Sequence, residues 1–145
     1  MPFRQALQSA VSPPAMTRLK TYIVEDSPVI RENLIAALEE MTPVEVVGSA
    51  EGELPARLWL ERGDNACDLV IIDIFLRQGS GLGVLKALAD SVRRCKRVVL
   101  SNFATPDMRR RCLELGADRV FDKSNEIDAL IGYCLGLAEG PEAAS

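Results

Sequence analysis

Short apolar segments alternate with longer amphipathic segments along most of this chain. Five short apolar runs each precede a segment whose apolar residues repeat at helical spacing. These runs are Tyr22–Val24, Val44–Val47, Leu69–Ile72, Val98–Leu100 and Val120–Phe121. The third and fourth are continuously apolar, which is typical of parallel strands that are buried on both faces. The pattern therefore predicts five βα units that form a parallel sheet with helices on both sides.

Several of the predicted helices have recognisable start or stop signals. Ser27-Pro28 and Thr105-Pro106 each place a capping side chain before a proline in the first turn. Gly116 is suited to end the helix that begins after Thr105, and Ser124 is predicted to cap the last helix. Two more helices are predicted over Leu54–Arg62 and Gly83–Val92. The first helix is expected to have an apolar stripe of Ile30, Leu34, Leu38 and Met41.

The two ends of the chain lack these patterns. Residues 1–18 contain Ser12-Pro13-Pro14 and have no continuous apolar region of the kind found in a secretory signal. They are expected to form a flexible arm, with Met16 as an alternative translation start. Residues 139–145 are expected to be a disordered tail. The length of 145 residues fits one domain, which we place at residues 19–138.

Composition narrows the classes of function. The net charge of −4 disfavours a dedicated nucleic-acid binder, and no apolar run is long enough to cross a membrane. The chain has no histidine, which excludes histidine nucleophiles, histidine metal ligands and a phosphohistidine carrier. The four cysteines form no CxxC pair, so neither a zinc site nor a redox dithiol is predicted. We expect them to be buried thiols of a cytoplasmic protein.

Polar residues follow four of the five predicted strands. Glu25 and Asp26 follow the first, and Asp73, Ser101 and Lys123 follow the third, fourth and fifth. In an open α/β sheet these positions meet at one edge, where ligands bind. Three carboxylates there would repel one another unless a cation such as Mg²⁺ lay between them. A hydroxyl and an ammonium suit a phosphoryl group, so the set predicts a phosphoryl-transfer pocket with Asp73 as the acceptor and Glu25 and Asp26 at the metal.

These segments resemble the receiver domain of two-component response regulators, of the single-domain, chemotaxis-regulator-like kind. The resemblance runs from about Leu19 to Leu137. The matching segments are Tyr22–Ser27, Leu69–Asp73, Val98–Ser101, Leu115–Asp118 and Phe121–Ser124. The resemblance implies a doubly wound, flavodoxin-like α/β fold with five parallel strands in the order 2-1-3-4-5.

The resemblance also implies how the phosphoryl group is handled. Asp73 would accept it from a phosphohistidine on a sensor histidine kinase or a phosphotransfer protein, and Ser101 and Lys123 would hold its oxygens. The chain would not be an enzyme for a separate substrate, although it would assist its own phosphorylation and dephosphorylation. Too few residues lie outside 19–138 for an output domain, so signalling is expected to use contacts with an unidentified protein, with a homodimer left open.

A metal set is implied in the same way. Asp26 and Asp73 would bind Mg²⁺ directly, with the backbone carbonyl of Phe75 as a third protein ligand. Glu25 would act through water. Phe75 and Phe103 occupy the positions that flank the hydrolytic water in receivers, and two bulky apolar side chains there predict slow loss of the phosphoryl group.

The sequence departs from the family pattern at several positions. Arg77 stands where receivers usually have proline, so we expect a different turn, supplied by Gly79–Gly81, and an intact site. Val120 stands where the switch aromatic usually lies, and Phe121 should point to the opposite face of the sheet. The residues after the switch hydroxyl and after the lysine are Asn102 and Ser124, where the family prefers a small residue and proline.

Three alternative functions would require other residues. A pseudo-receiver, acting as a constitutive interaction module, would have lost a site residue, and none is lost. A phosphatase of the haloacid dehalogenase type needs a second Asp where Phe75 stands. A flavin-binding protein needs a loop that holds a phosphate after the first strand, and Glu25–Pro28 is unsuited to that.

The chain also has two basic clusters. Arg93–Arg97 is expected to be a solvated helix end, and Arg109–Arg111 is a candidate for docking a partner.

Overall fold

The computed structural model describes residues 18–139, which form five strands and five helices. The strands are β1 (Leu19–Val24), β2 (Val44–Ala50), β3 (Leu69–Ile72), β4 (Lys96–Ser101) and β5 (Arg119–Asp122). The helices are α1 (Pro28–Met41), α2 (Glu53–Glu61), α3 (Gly81–Ala89), α4 (Pro106–Glu114) and α5 (Ile127–Ala138). The predicted arm and tail, apart from their inner residues 18 and 139, lie outside the described part of the chain.

All five strands pair in parallel in the order β2-β1-β3-β4-β5, which confirms the predicted fold class. The central strand β3 is buried at every position, as its continuous apolar sequence predicted. The last residues of β1 and β3 lie side by side, because Val24 pairs with Ile72. The strands therefore end together, and the polar residues that follow them begin at one edge of the sheet.

The core has two layers, one on each face of the sheet. Alternate strand residues point to opposite faces, so Val70 packs toward α2, α3 and α4, whereas Ile71 packs toward α1 and α5. Val120 packs on the side of α2, α3 and α4 and Phe121 on the side of α1 and α5, so the two point to opposite faces as predicted.

No helix within residues 18–139 has the length and apolar character needed to cross a membrane.

Two of the predicted helix caps are present as expected. The Ser27 hydroxyl accepts a hydrogen bond from the Ile30 backbone N–H, and Thr105 accepts one from Met108. Gly116 has a φ of +102°, which suits a glycine at the end of α4. The apolar stripe predicted for α1 is confirmed only in part. Leu34 and Leu38 are buried, whereas Ile30 and Met41, at the two ends of the stripe, are exposed.

Two predicted helix starts were wrong. Ser124 does not cap α5: its backbone N–H and hydroxyl both donate to the Asp122 carboxylate, and the helix begins three residues later at Ile127. The hydrogen bonds that Ser124 donates to a charged carboxylate are stronger than the neutral one it would accept from a helix N–H, so the serine stays in the turn. Helix α3 begins at Gly81, because the Ser80 hydroxyl accepts from the Leu82 N–H. It ends at Ala89, which leaves Val92 exposed.

Arg93 is not part of a solvated helix end, as the sequence suggested, but holds the C-terminal end of α2. Its guanidinium donates to the carbonyl oxygens of Leu60, Arg62 and Asn65 at 2.6, 2.6 and 2.9 Å. Its charge also lies 5.7 Å from the ring centre of Trp59. Carbonyl groups at a helix end lack partners within the helix, and a planar guanidinium can satisfy several of them at once.

Arg109, in the second basic cluster, also has internal partners. It donates to the carbonyl oxygens of Ala104 and Val120 and to the Glu126 carboxylate, at 3.0, 2.9 and 2.6 Å. The neighbouring residues Arg110 and Arg111 are exposed. Any docking role of this cluster therefore falls to these two arginines and not to Arg109.

Replacing Arg93 with alanine should destabilise the fold. We expect Arg93→Ala to lower the free energy of unfolding by about 2 kcal/mol, because three carbonyl groups lose a charged donor. Urea unfolding measures this change. Arg94→Ala removes the same charge at an exposed neighbouring position and should change stability by no more than about 0.5 kcal/mol. Equal effects of the two substitutions would show that the helix-end contacts contribute nothing.

Candidate functional site

Three carboxylates meet at the carboxyl edge of the sheet. The Glu25 N–H donates to the Ala50 carbonyl, and the Asp73 N–H donates to the Val24 carbonyl, so both acids extend the ladder of the sheet. Carboxylate oxygens of Glu25, Asp26 and Asp73 lie within 4.8 Å of one another. Glu25 and Asp73 are buried, and Asp26 is half-buried. The predicted acidic cluster is therefore assembled by the strand register itself.

Lys123 lies between two of these acids. It follows β5, and its ammonium reaches Glu25 Oε1 at 2.5 Å and Asp73 Oδ2 at 2.9 Å. Only 10% of the lysine side chain is exposed. Burial alone would lower the pKa of this lysine, but the hydrogen bonds to Glu25 and Asp73 raise it above its usual value. The ammonium therefore stays charged at neutral pH and balances part of the acidic cluster.

Each acid is also positioned by a backbone donor. Glu25 Oε2 accepts from the N–H of Ser27 at 3.0 Å, and Asp73 Oδ1 accepts from the N–H of Phe75 at 3.3 Å. Asp26 Oδ2 accepts from the N–H of Arg77 at 2.9 Å. A proline at position 77 has no N–H to donate. The departure from the family pattern at Arg77 thus adds a contact to the acidic cluster instead of disturbing it.

The loop after Asp73 is held from outside the site by Glu53 at the start of α2. Glu53 Oε1 accepts from the Ser80 N–H at 2.9 Å, and the Glu53 N–H donates to the Gln78 carbonyl at 3.0 Å. Gly79 adopts a φ of +80°, which glycine tolerates best. The turn expected from Gly79–Gly81 is therefore present. The sequence does not predict that Glu53 holds this loop, because no local motif points to a contact with residues 25 or more positions away.

Gly81 allows the loop to approach the end of β3. A Cβ atom at Gly81 would overlap the carbonyl oxygen of Asp73 and lie 2.8 Å from both Ile72 Cγ2 and Ile74 Cα. These are buried residues that cannot move aside. Glycine at this position is therefore required by space beside the predicted acceptor.

The acids open into a cavity of about 190 Å³. Its lining includes Glu25, Asp26, Asp73, Phe75 and Lys123, five of the six residues predicted for the site. Ser101 is not in that lining. It is fully buried at the end of β4, and its hydroxyl oxygen accepts a hydrogen bond from the Phe103 N–H at 3.1 Å.

Two aromatic side chains stand at the mouth of this cavity. Phe75 and Phe103 contact each other edge to face, with ring centres 5.2 Å apart. Both side chains are exposed, at 50% and 61% of their surface. The two adjacent rings form a small apolar patch beside the acids. Both line the cavity that contains Asp73, where the family resemblance implies that they flank the hydrolytic water.

Gly81→Ala should destabilise the protein through overlap with the Asp73 carbonyl. We expect a loss of about 2 kcal/mol in the free energy of unfolding, measured with urea. Gly132→Ala is the matched control, because a Cβ at this exposed position in α5 meets nothing within 4 Å. It should stabilise the fold by about 0.5–1 kcal/mol. A neutral or stabilising effect of Gly81→Ala would contradict the close approach.

Comparison with known proteins connects this arrangement to a family. The family model described as the response regulator receiver domain matches residues 21–134. Among curated proteins, the chain is 31% identical over 125 residues to a probable transcriptional regulatory protein of Picosynechococcus, covering 83% of this chain. It is 28% identical over 117 residues to the gliding motility regulatory protein of Myxococcus xanthus, covering 79% of this chain. The chain spans 49% and 14% of the lengths of these two relatives.

Solved structures agree on the fold. The isolated REC domain of RcsB from Salmonella enterica serovar Typhimurium, determined in the presence of the phosphomimetic BeF3−, superposes with a TM-score of 0.74. The match covers 88% of this chain and 96% of that one, at 21% sequence identity. At this identity the likeness establishes the architecture alone.

Proposed function

The chain belongs to the response regulator receiver domain family, and from this premise we propose that it accepts a phosphoryl group on Asp73 within a two-component phosphorelay. The observation that carries the proposal is the contact of Lys123 with both Asp73 and Glu25 inside a cluster of three carboxylates. These groups come from separate strand ends and converge on one buried aspartate. A purely structural acid at a strand end would not need such neighbours.

The proposed reaction transfers phosphorus from nitrogen to oxygen. A carboxylate oxygen of Asp73 attacks the phosphorus atom of a phosphohistidine, the new P–O bond forms, and the P–N bond breaks so that imidazole leaves. The chain contains no histidine, so the donor is a separate sensor histidine kinase or phosphotransfer protein. Lys123 and the Phe75 N–H hold the two carboxylate oxygens of Asp73, which fixes the attacking group before the donor arrives.

The residues present fit a divalent cation. Three clustered carboxylates carry two more negative charges than the Lys123 ammonium balances, and hard oxygen ligands of this kind suit Mg²⁺. Asp26 and Asp73 would hold the ion with the Phe75 carbonyl, and Glu25 would act through water, as the family resemblance implies. When bound, the ion would supply charge neutralisation at the phosphoryl oxygens.

Lys123 would also respond to the product. In the described state its ammonium is shared between Glu25 and Asp73. Phosphorylation replaces the charge on Asp73 by a larger charge farther from the strand, and the ammonium is expected to follow it. The Ser101 hydroxyl, whose oxygen accepts from the Phe103 N–H, would donate its proton to a new phosphoryl oxygen, and its movement toward that oxygen would shift the segment after β4 and present the change to an output protein.

A pseudo-receiver is the second candidate function. The buried position of Ser101 favours it, because this hydroxyl does not line the cavity where a phosphoryl group would lie. In that case the domain would bind its partner constitutively. The two functions differ in whether Asp73 can be modified at all, and this can be measured directly.

Asp73 should be phosphorylated by a small donor. We expect the full chain, treated with acetyl phosphate and Mg²⁺, to gain one phosphoryl group in its intact mass, whereas Asp73→Asn gains none because it lacks the attacking oxygen. Chelation of the metal with EDTA should suppress the gain. Asp107→Asn, which removes an exposed carboxylate on α4, should be phosphorylated like the parent.

The outcomes separate the candidates. A phosphoryl group on the Asp73→Asn variant would exclude Asp73 as the acceptor. Failure of the parent and of Asp107→Asn to gain mass, while both remain folded, would favour the pseudo-receiver. Full modification in EDTA would contradict the metal requirement and leave the acceptor in place.

Phe75 and Phe103 should slow the loss of the phosphoryl group. We expect the phosphorylated parent to persist well beyond seconds, because the aromatic pair keeps water from the mouth of the cavity. Replacing both residues with alanine should accelerate the loss about tenfold, which corresponds to about 1.4 kcal/mol in the barrier. A time course of intact mass measures both rates. Leu113→Ala, at another exposed apolar residue, is the control and should leave the rate unchanged.

A further inference from the structure

Two cysteines meet at the edge of the sheet opposite the acidic cluster. Cys67 lies two residues before β3, and Cys95 lies directly before β4. The hydrogen bonding between β3 and β4 continues into the residues just before these strands, because the Lys96 N–H donates to the Asp68 carbonyl at 2.9 Å. The Cys67 thiol donates to the Leu69 carbonyl at 3.3 Å, and Cys67 and Cys95 belong to the same packed cluster of side chains. The fold thus brings two cysteines close together although they are not part of a CxxC motif.

The spacing is suitable for a covalent bond. The register of β3 and β4 pairs Leu69 with Lys96, so Asp68 comes beside Cys95 and Cys67 lies one residue further out. Adjacent strands lie about 4.8 Å apart, and one diagonal step of this kind stays within the range of about 4.4–6.8 Å between Cα atoms that a disulfide spans. Both side chains pack against the same face of the sheet, on the side of α2, α3 and α4. A bond between them therefore needs no change in the strand register.

Two arginines give this thiol pair a positive surrounding. Arg97 and Arg93 both lie close enough to Cys95 to favour its thiolate, and Arg97 donates to the Arg93 carbonyl at 2.8 Å. The Arg97 Nε atom is buried and has no hydrogen-bond acceptor among residues 18–139. An unpaired buried donor beside a thiol is satisfied best when that thiol becomes an anion.

The two thiols have opposite electrostatic tendencies. The neighbouring Cys67 thiol and the charges of Arg97 and Arg93 hold the pKa of Cys95 below its usual value despite burial. The neighbouring Cys95 thiol and burial raise the pKa of Cys67. Cys95, which lies beside both arginines, is therefore the better nucleophile of the pair.

The remaining two thiols lack these features. Cys112 and Cys134 are fully buried, and burial raises the pKa of each. Cys67, in contrast, is partly exposed, and Cys95 keeps 7% of its surface accessible. A small oxidant can thus reach Cys67 and Cys95 but not Cys112 and Cys134.

We propose that Cys67 and Cys95 form a dithiol site that a peroxide converts to a disulfide and that a thiol reductant restores. The Cys95 thiolate attacks one oxygen of hydrogen peroxide, the O–O bond breaks, and hydroxide leaves, which oxidises the sulfur to a sulfenic acid. The Cys67 sulfur then attacks that sulfur, the S–S bond forms, the S–O bond breaks, and water leaves with the Cys67 proton. Two thiols and one peroxide give one disulfide and two waters.

Mass spectrometry of the full chain tests this proposal. Reduced protein is exposed to hydrogen peroxide, quenched, denatured and treated with N-ethylmaleimide. We expect the four cysteines of the untreated chain to be labelled, and only Cys112 and Cys134 after oxidation, with a Cys67–Cys95 peptide in the non-reduced digest. Dithiothreitol should restore four labels. Retention of four labels, or a disulfide that includes Cys112 or Cys134, would overturn the proposal.

Variants separate the two thiol roles. Cys67→Ser should stop at a sulfenic acid on Cys95 that dimedone captures, whereas Cys134→Ser should form the disulfide at the parent rate. Arg97→Gln should slow oxidation several-fold at pH 7 and recover near pH 9, where Cys95 ionises without help. Loss of oxidation at every pH would refute the electrostatic role of Arg97. Peroxide treatment of the urea-unfolded parent provides a fold-independent check, since all four thiols should then react without preference.

Discussion

The structure depends on one ammonium placed among three carboxylates at the end of a buried sheet. Like charges within 4.8 Å of one another oppose folding, and the contacts of Lys123 with Glu25 and Asp73 offset only part of that repulsion. The apolar strands β1 and β3 must supply the rest, since they run directly into these acids and are almost wholly buried. The core therefore holds the acids together alongside their own contacts, and an excess of negative charge remains at the site.

Rigidity around the predicted acceptor comes from residues outside the site. Glu53 holds the loop after β3 through Ser80 and Gln78, and Gly81 lets that loop press against the Asp73 carbonyl. Arg77 adds a backbone donor to Asp26 where receivers usually have a proline that could give none. Such supporting contacts fix the side chains of a reactive site with little freedom, which is what transfer to one defined oxygen requires.

Sequence patterns were sufficient wherever hydrophobic burial decided the structure. Short apolar runs predict all five strands, and the order of the polar residues after them brings Glu25, Asp26, Asp73 and Lys123 together. The failures share another cause. Ser124, Arg93 and the cysteine pair owe their positions to partners distant in sequence or to a charged competitor, and no propensity or period carries that information. Ser101 was predicted to follow the fourth strand and is its last residue, but the direction of its hydroxyl depends on a neighbouring backbone N–H that the pattern does not reveal.

The proposed phosphoryl-transfer site and the proposed dithiol site lie at opposite ends of β3 and β4. Asp73 follows β3 and Ser101 ends β4, whereas Cys67 and Cys95 precede these strands. A disulfide would join the chain just before the first register pair, Leu69 with Lys96, so it needs no movement at the acidic cluster. Coupling between distant sites requires an element with two arrangements that both sites bias, and a short, largely buried parallel strand pair has a single packed arrangement. Oxidation at one edge and phosphoryl transfer at the other are therefore expected to act as independent inputs to the same domain.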